Sequence, residues 1–382
     1  MTFPAISLNE GPAASIAVRS PFDGSPVGEV AAAGPAEIAE AVARAARAQR
    51  EFRRSTPFMR RALLDALAAR IAENAEALAR TIAGEVGKTI TEARNEVRRA
   101  QNTLRLSGDA ATFLDGEVLH CAIVAGGVDR RAAVTFEPVG VVGAVTPFNY
   151  PLNLLCHKLG PAIAAGNAVV AKPSPKAPLA ASRLAELALQ AGFPDDLFQV
   201  VHGGAEAALA LARSRIDLLS FTGGPAAGLA LKNASGLVRC LMELGGNDPL
   251  FVLPDADLDR AVATATGHRF EIAGQSCAAV KKLYLHEDIA GAFVERLLPK
   301  VAAVRTGDPL SEATDMGPVI DGQAAAMVGE RIAATLARGA KLLAGGGRDN
   351  AMVEPTVISG VEPDSPVIAD ETFGPVIAIR TF

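Results

Sequence analysis

The chain has 382 residues, 49% of them hydrophobic and 21% charged. That length and balance exclude a disordered chain and suit about two or three compact domains. A net charge of -5 supplies no positive field for nucleic acid, and no apolar run approaches the ~18 residues of a membrane span. Cys121, Cys156, Cys240 and Cys277 are not spaced as a disulfide framework or zinc site. With no signal-peptide pattern at the N-terminus, they point to a reducing, cytoplasmic setting and to no metal.

In chain order, residues 1–34 are turn-rich, with Pro21-Phe22-Asp23-Gly24 as the clearest turn signal. Apolar residues at three and four spacing then predict helices over 37–53, 57–80 and 85–106. Strand-like stretches at 117–124 and 131–137, separated by Ala125-Gly126-Gly127, predict a small protruding hairpin.

From Val139 the pattern becomes one of short apolar runs alternating with helices. Strands are predicted at 139–145, 167–171, 197–201, 216–221 and 237–243, and helices at 151–165, 178–190, 205–213 and 225–234. Such alternation means parallel β/α units, so the fold class is α/β, with an open, doubly wound cofactor-type domain. After Gly246 a second α/β region begins. It has predicted strands at 249–253, 281–285, 341–343 and 353–357, helices from 257, at 288–304 and at 323–337, and Cys277 on the loop 274–278.

Four short segments stand out: Thr146-Pro147-Phe148-Asn149-Tyr150-Pro151, Glu243-Leu244-Gly245-Gly246-Asn247, Gly274-Gln275-Ser276-Cys277 and Glu371-Thr372-Phe373-Gly374-Pro375. In this order and at these separations they resemble the NAD(P)-dependent aldehyde dehydrogenase superfamily, and Lys172-Pro173-Ser174 and Phe221-Thr222-Gly223-Gly224 match its cofactor segments. The stretch 243–253 and Pro178 to Ala180 look nearest the branch acting on lactaldehyde-like and phosphonoacetaldehyde-like substrates. The resemblance implies an aldehyde dehydrogenase-like fold: 1–116 as the first part of the cofactor-binding domain, 117–137 as an oligomerisation hairpin, 138–246 as the cofactor-binding core and 247–382 as the catalytic domain. Because the family continues well past its E-x-F-G-P segment, it also implies that the C-terminal part of the catalytic domain is missing. The 382-residue chain is then expected to be inactive and poorly soluble, and a homodimer or homotetramer to form once it is completed.

Oxidising an aldehyde by hydride transfer requires a tetrahedral centre at the carbonyl carbon, and a thiolate is the best side-chain nucleophile for making one. The resemblance assigns this to Cys277; the other cysteines read as small buried hydrophobes. A carboxylate must then activate water. The resemblance gives that role to Glu243, at the end of an apolar strand where a carboxylate near the core would have to be satisfied, with Glu271 as a local alternative. Asn149 matches the family's oxyanion donor, beside the backbone N–H of Cys277; by itself Asn149 also reads as a helix cap.

For the cofactor, the resemblance points to Lys172 and Ser174 at the adenosine end, Thr222, Gly223 and Gly228 at the pyrophosphate, and Glu371 with Phe373 at the nicotinamide ribose. Pro175 stands where NAD-preferring members commonly carry a Glu. Its lack of a carboxylate, with Lys172 and Lys176 nearby, predicts use of NADP or NAD with NADP preferred. The pocket wall, formed by Tyr150, Asn153, Leu154, His157, Glu271 and Ser276, is polar and predicts a small polar or anionic aldehyde as the small-molecule partner. Ser276 replaces the Arg of the phosphonoacetaldehyde-type pattern, which argues against phosphonate recognition. Two rivals remain: a coenzyme A-acylating enzyme, disfavoured by the presence of Glu243, and a non-catalytic relative, disfavoured by the intact set of Asn149, Glu243 and Cys277.

Overall fold

The computed structural model describes residues 15–382. The turn at Pro21 closes an antiparallel hairpin, β1 (Ser15–Arg19) with β2 (Pro26–Ala31), where the sequence suggested turns alone; residues 1–14 of that segment lie outside the described residues.

Four helices follow: α1 (Pro35–Phe52), α2 (Pro57–Glu73), α3 (Ala75–Val86) and α4 (Ile90–Ala111). Two of the predicted helices are each broken in the structure. The stretch 57–80 divides at Asn74, the common cap of α2 and α3. The stretch 85–106 divides where Gly87 adopts a left-handed C-cap (φ 81°) and Thr89 opens α4 with a reciprocal capping box to Glu92. Both breaks follow local capping chemistry that apolar periodicity does not register. The predicted hairpin exists but is shorter, β3 (Glu117–His120) with β4 (Arg131–Val134), because 125–127 forms a 3₁₀ turn.

The larger core surrounds a five-stranded parallel sheet. Its strands are β5 (Val141–Val145), β6 (Ala168–Lys172), β7 (Phe198–Val200), β8 (Leu218–Thr222) and β9 (Arg239–Glu243), in the order β7-β6-β5-β8-β9. The connecting helices are α5 (Asn153–Ala164), α6 (Leu179–Gln190), α7 (Ala205–Arg213) and α8 (Pro225–Ser235). Both faces of β5 and β6 are fully buried, which explains their unbroken apolar runs. Register sets Val145 opposite Lys172 and Thr222 opposite Glu243. The carboxyl ends of β5, β6, β8 and β9 therefore share one edge of the sheet, flanking the point where strand order reverses. Open α/β sheets bind ligands there.

A second core is built on the order β10-β11-β16-β15-β12: β10 (Pro249–Val252), β11 (Lys282–Leu285), β12 (Lys341–Ala344), β15 (Thr356–Ser359) and β16 (Val376–Thr381), with only β12 antiparallel. Helices α9 (Leu258–Phe270), α10 (Glu287–Ala302) and α11 (Gly322–Leu336) cover it; β13 (Arg348–Asp349), β14 (Met352–Val353) and the single turn α12 (Pro366–Ala369) complete the chain. Strand β16 and the β1–β2 hairpin had no counterpart among the predicted elements. Ion pairs tie the two cores, Arg94 to Glu312 at 2.8 Å and Lys176 to Asp321 at 2.5 Å.

Candidate active site

The loop between α9 and β11 leads into the site. Its thiol-bearing residue, Cys277, is exposed, whereas Cys156 is buried in the larger core and its pKa is pushed up by that burial. Gln275, two residues earlier, is fully buried. Its side chain donates to the Ile272 carbonyl at 3.1 Å and accepts from the Ile320 N–H at 2.9 Å. Asn149, from the segment after β5, is buried and donates from Nδ2 to the Gln275 carbonyl at 2.9 Å. One amide hydrogen anchors Asn149 beside the cysteine; the second is left for an oxygen developing charge there.

Lys281 fixes the other flank of the loop. It is buried, donates to the Cys277 carbonyl at 2.7 Å, and lies 3.3 Å from Asp248 and 3.7 Å from Glu371. Glu371 is half-buried, and its carboxylate also accepts from the Gly246 N–H at 3.2 Å. A Cβ on Gly245 would collide with this carboxylate, and one on Gly246 would stand 2.7 Å from the Cys277 carbonyl. The Gly-Gly turn after Glu243 thus lets two functional segments meet. The fully buried Arg269 donates to the carbonyls of Thr372 (2.7 Å) and Gly374, and burial draws its pKa down to about 9 against the pull of Glu371. Phe373 meets Phe148 edge-on, with ring centroids 6.1 Å apart.

Glu243 ends β9 in an exposed position, with no hydrogen bond to its carboxylate among the described residues. The expectation of a strand-end carboxylate needing satisfaction near the core is thus corrected: β9 is the sheet's edge strand, so water reaches it. Its charge is felt by Lys158, which sequence reasoning passed over. Lys158 is buried and donates to Thr222 (2.8 Å) and Ser220 (3.2 Å); burial lowers its pKa to about 8, and Glu243 opposes that shift. A lysine within the apolar run of α5 was the available signal.

On the substrate side, the Tyr150 hydroxyl donates to Glu271 at 3.2 Å and bonds with Ser276. His157 is exposed on α5; partial desolvation, Arg99 and Lys158 lower its pKa. Asn153 departs from its expected place. It is buried and accepts from the Thr103 hydroxyl at 3.0 Å, turned onto α4 and not into a pocket; Leu154 beside it is half-buried. Arg99, another residue the sequence reading missed, lies 5.4 Å from the centroid of the Tyr150 ring. A cleft of about 540 Å³ runs between α4 and α9 to Glu271. Arg98 and Lys300 line it with no ion-pair partner among the described residues, together with the carboxylates of Glu92, Glu271 and Asp315, the last paired with Arg305 at 2.7 Å.

A dinucleotide fits the sheet edge on three observations. The Thr146 hydroxyl, at the end of β5, is buried without a hydrogen-bond partner among the described residues. Helix α8 opens at Gly224 with no side-chain cap and with open space around that glycine, leaving first-turn N–H groups for a phosphate. Lys172, buried at the end of β6, holds the carbonyls of Pro173 (3.0 Å) and Gly203 (3.2 Å), and burial lowers its pKa to about 8. One expectation changes: Lys176 is engaged by Asp321. A Cβ on Gly228 would meet the flexible tip of the Leu244 side chain at 2.8 Å. Ser174 accepts from the Lys176 N–H at 3.2 Å and so shapes the turn around Pro175.

These features belong to a known class. The aldehyde dehydrogenase family model matches residues 9–382, and the chain belongs to the aldehyde dehydrogenase family. It is 39% identical over 368 residues to aspartate-semialdehyde dehydrogenase 1 of Pseudomonas canavaninivorans, covering 96% of this chain and 78% of that one. An NAD-dependent aldehyde dehydrogenase from Sinorhizobium meliloti superposes with a TM-score of 0.96 at 34% identity, over 100% of this chain and 78% of that one. An NADP-dependent enzyme of E. coli gives a TM-score of 0.94 at 34% identity, over 97% and 77%. Other relatives are named for 3-sulfolactaldehyde, sulfoacetaldehyde, glutarate semialdehyde and lactaldehyde. That spread favours no single branch, so the narrower resemblance to the lactaldehyde and phosphonoacetaldehyde branch gives way to membership of the superfamily. Among the described residues, no helix is long and apolar enough to cross a membrane.

Proposed function

We propose that this chain carries the machinery to oxidise a small anionic aldehyde to its carboxylic acid with NAD or NADP. The observation that carries the reading is an exposed thiol, Cys277, whose loop takes a hydrogen bond from the buried Asn149 amide, while the Gly245-Gly246 turn that follows the exposed carboxylate of Glu243 packs against the Cys277 carbonyl. The exposed Cys277 thiol gives its proton to solvent, the thiolate sulfur attacks the aldehyde carbon, and the carbonyl π pair moves to oxygen. The free Asn149 amide hydrogen and the Cys277 N–H stabilise the resulting thiohemiacetal oxyanion. A dinucleotide held by Lys172, Thr222 and the start of α8 would supply, through its nicotinamide, the hydride acceptor. As the carbonyl re-forms, Cys277 holds the acyl group as a thioester. Glu243 then takes a proton from water, hydroxide adds to the acyl carbon, and the cysteine sulfur departs.

Recognition of an anion rests on three cations with no ion-pair partner among the described residues: Arg98 and Lys300, which line the cleft beside Glu92, Glu271 and Asp315, and Arg99 by the Tyr150 ring. The names of several relatives, aspartate semialdehyde and 3-sulfolactaldehyde among them, fit that chemistry. Lys172, Thr222 and the start of α8 hold the dinucleotide, with Glu371 and Phe373 at its ribose end. Pro175 places no carboxylate against a ribose phosphate, so NADP is preferred. Domain limits at 116, 137 and 246, with the β3–β4 hairpin as an oligomerisation element, complete the proposal.

The test is reduced-nicotinamide absorbance over a panel of aldehydes with the unsubstituted chain, Cys277→Ala and Arg99→Gln. The reading requires turnover of semialdehydes over neutral aldehydes of equal size, loss of it in Cys277→Ala, and a raised KM for anionic aldehydes in Arg99→Gln. Turnover retained in Cys277→Ala would refute it.

A further inference from the structure

We propose that Glu92 is a positioning residue that holds the Cys277 loop in shape from across the seam between the two cores. The inference rests on the assignment of Cys277 as the nucleophile and adds a residue through which that nucleophile is presented.

The loop before Cys277 is under backbone strain. Ile272 (φ 51°, ψ 39°), Ala273 (φ 50°, ψ 37°) and Gly274 (φ 75°) occupy the left-handed region consecutively. Only the last is a residue that adopts it freely, and a β-branched side chain there is a true outlier. Such a turn persists only where its surroundings over-determine it.

Glu92 supplies that constraint. Its carboxylate is engaged on both oxygens. Oε2 accepts from the Thr89 N–H at 2.8 Å, closing the capping box of α4, and Oε1 accepts from the Ile272 N–H at 2.7 Å. The first bond is local to the helix; the second reaches 180 residues along the chain. Beyond Ile272 the contacts continue without a break to the reacting groups. The Ile272 carbonyl accepts from the Gln275 N–H and side chain, both at 3.1 Å, and the Gln275 carbonyl accepts from Asn149 at 2.9 Å. Cys277 follows two residues later. Glu92 touches none of the reacting groups; it fixes the turn from which both the thiol and the Asn149 amide take their place.

Two substitutions separate this role from stabilisation of the helix. In Glu92→Gln a single oxygen remains for two N–H donors. In Glu92→Asp the carboxylate is kept but shortened by one methylene, so the local bond to Thr89 survives while the reach to Ile272 is lost; this variant serves if the first fails to fold. Ala273→Gly in either background removes the steric cost of one left-handed residue and so lessens the need for a tether.

Three readouts apply: hydrogen exchange of the 271–277 segment, the rate of Cys277 alkylation by iodoacetamide, and steady-state kinetics. Loss of the tether should speed exchange at the Ile272 amide at least tenfold and change the alkylation rate at least threefold. It should lower kcat at least tenfold while the KM for the dinucleotide stays within twofold. Ala273→Gly should restore alkylation and kcat to within about threefold of the unsubstituted chain. Unchanged exchange and alkylation in a folded Glu92→Asp chain would overturn the proposal, as would a loss of kcat that Ala273→Gly leaves uncorrected. If the unsubstituted chain oxidises no aldehyde, the functional reading fails, and exchange and alkylation still decide the role of Glu92.

Discussion

Removing the charge of Glu96 should destabilise the larger core by several kcal/mol, because no water reaches the pair it makes. Lys88 and Glu96 have fully buried side chains, with Nζ and Oε2 2.6 Å apart. The second oxygen, Oε1, accepts from the N–H groups of Leu152 (2.9 Å) and Asn153 (3.0 Å), the start of α5, and the Lys88 ammonium lies 4.2 Å from the centroid of the Tyr150 ring. Glu96→Gln keeps an oxygen for the two N–H groups but turns an NH₂ toward the ammonium. Stripping a buried cation of its partner costs about 3–5 kcal/mol. Glu96→Ala also orphans two buried N–H groups, at about 1–3 kcal/mol each. The assay is urea unfolding followed by circular dichroism, with an unchanged denaturant slope required for the comparison. The Glu96→Gln melting midpoint should also fall by roughly 10 °C. The double variant Lys88→Met, Glu96→Gln should recover most of the loss, since the buried cation left without a partner is removed while an oxygen still serves the two N–H groups. A Glu96→Gln penalty below ~1 kcal/mol, or a double variant less stable than the single, would refute the argument.

Glu243→Gln should slow steady-state turnover ~10²-fold, the scale of lost general-base assistance, while a burst of reduced cofactor survives; steady-state rates equal to the unsubstituted chain would exclude the role. Asp321→Asn releases Lys176 from its ion pair toward the turn at Pro175, so the ratio of kcat/KM for NADP to that for NAD should rise about fivefold; an unchanged ratio counts against Lys176. Burial, then Lys172, lowers the pKa of His202 to about 4. The unfolded chain therefore binds the extra proton between pH 6.5 and 4, and stability falls as pH drops through that window. His202→Asn should flatten this part of the stability curve, as followed by melting at several pH values, and an unaltered slope would show that other groups govern it.

The parallel sheet was readable because its strands are buried on both faces and carry unbroken apolar runs, with helices of regular period between them. The breaks at Asn74 and Gly87 were not, because they arise from caps, and α3 and α4 share one continuous apolar pattern with their neighbours. Strand β16 was hidden behind the Glu371 motif, whose chemistry drew attention from the apolar run that follows. At the site, the residues that resemblance could name stand beside one another, Asn149 near Cys277 and Phe373 against Phe148. What escaped were the groups that hold them: Lys281, Arg269, Gln275, Glu92 and Glu96. Each is a polar residue whose purpose depends on a group distant in sequence, a backbone atom or, for Lys281, the carboxylates of Asp248 and Glu371, and spacing carries no record of such partners. Asn153 failed for the converse reason. Its helical position suggested the pocket, but a hydroxyl on α4 offered its side chain a buried bond.

The Cys277 loop is held from both cores at once, by Asn149 and Glu92 on one side and by Lys281 and the Ile320 N–H on Gln275 on the other. A shared keystone of this kind makes catalytic competence a property of how two folded bodies are seated. On the proposed function, damage at the seam would lower activity while leaving the apolar packing inside each core untouched. For this fold, thermal stability and activity are therefore separable quantities, and a screen that ranks variants by melting alone would pass over the most damaging class of substitution.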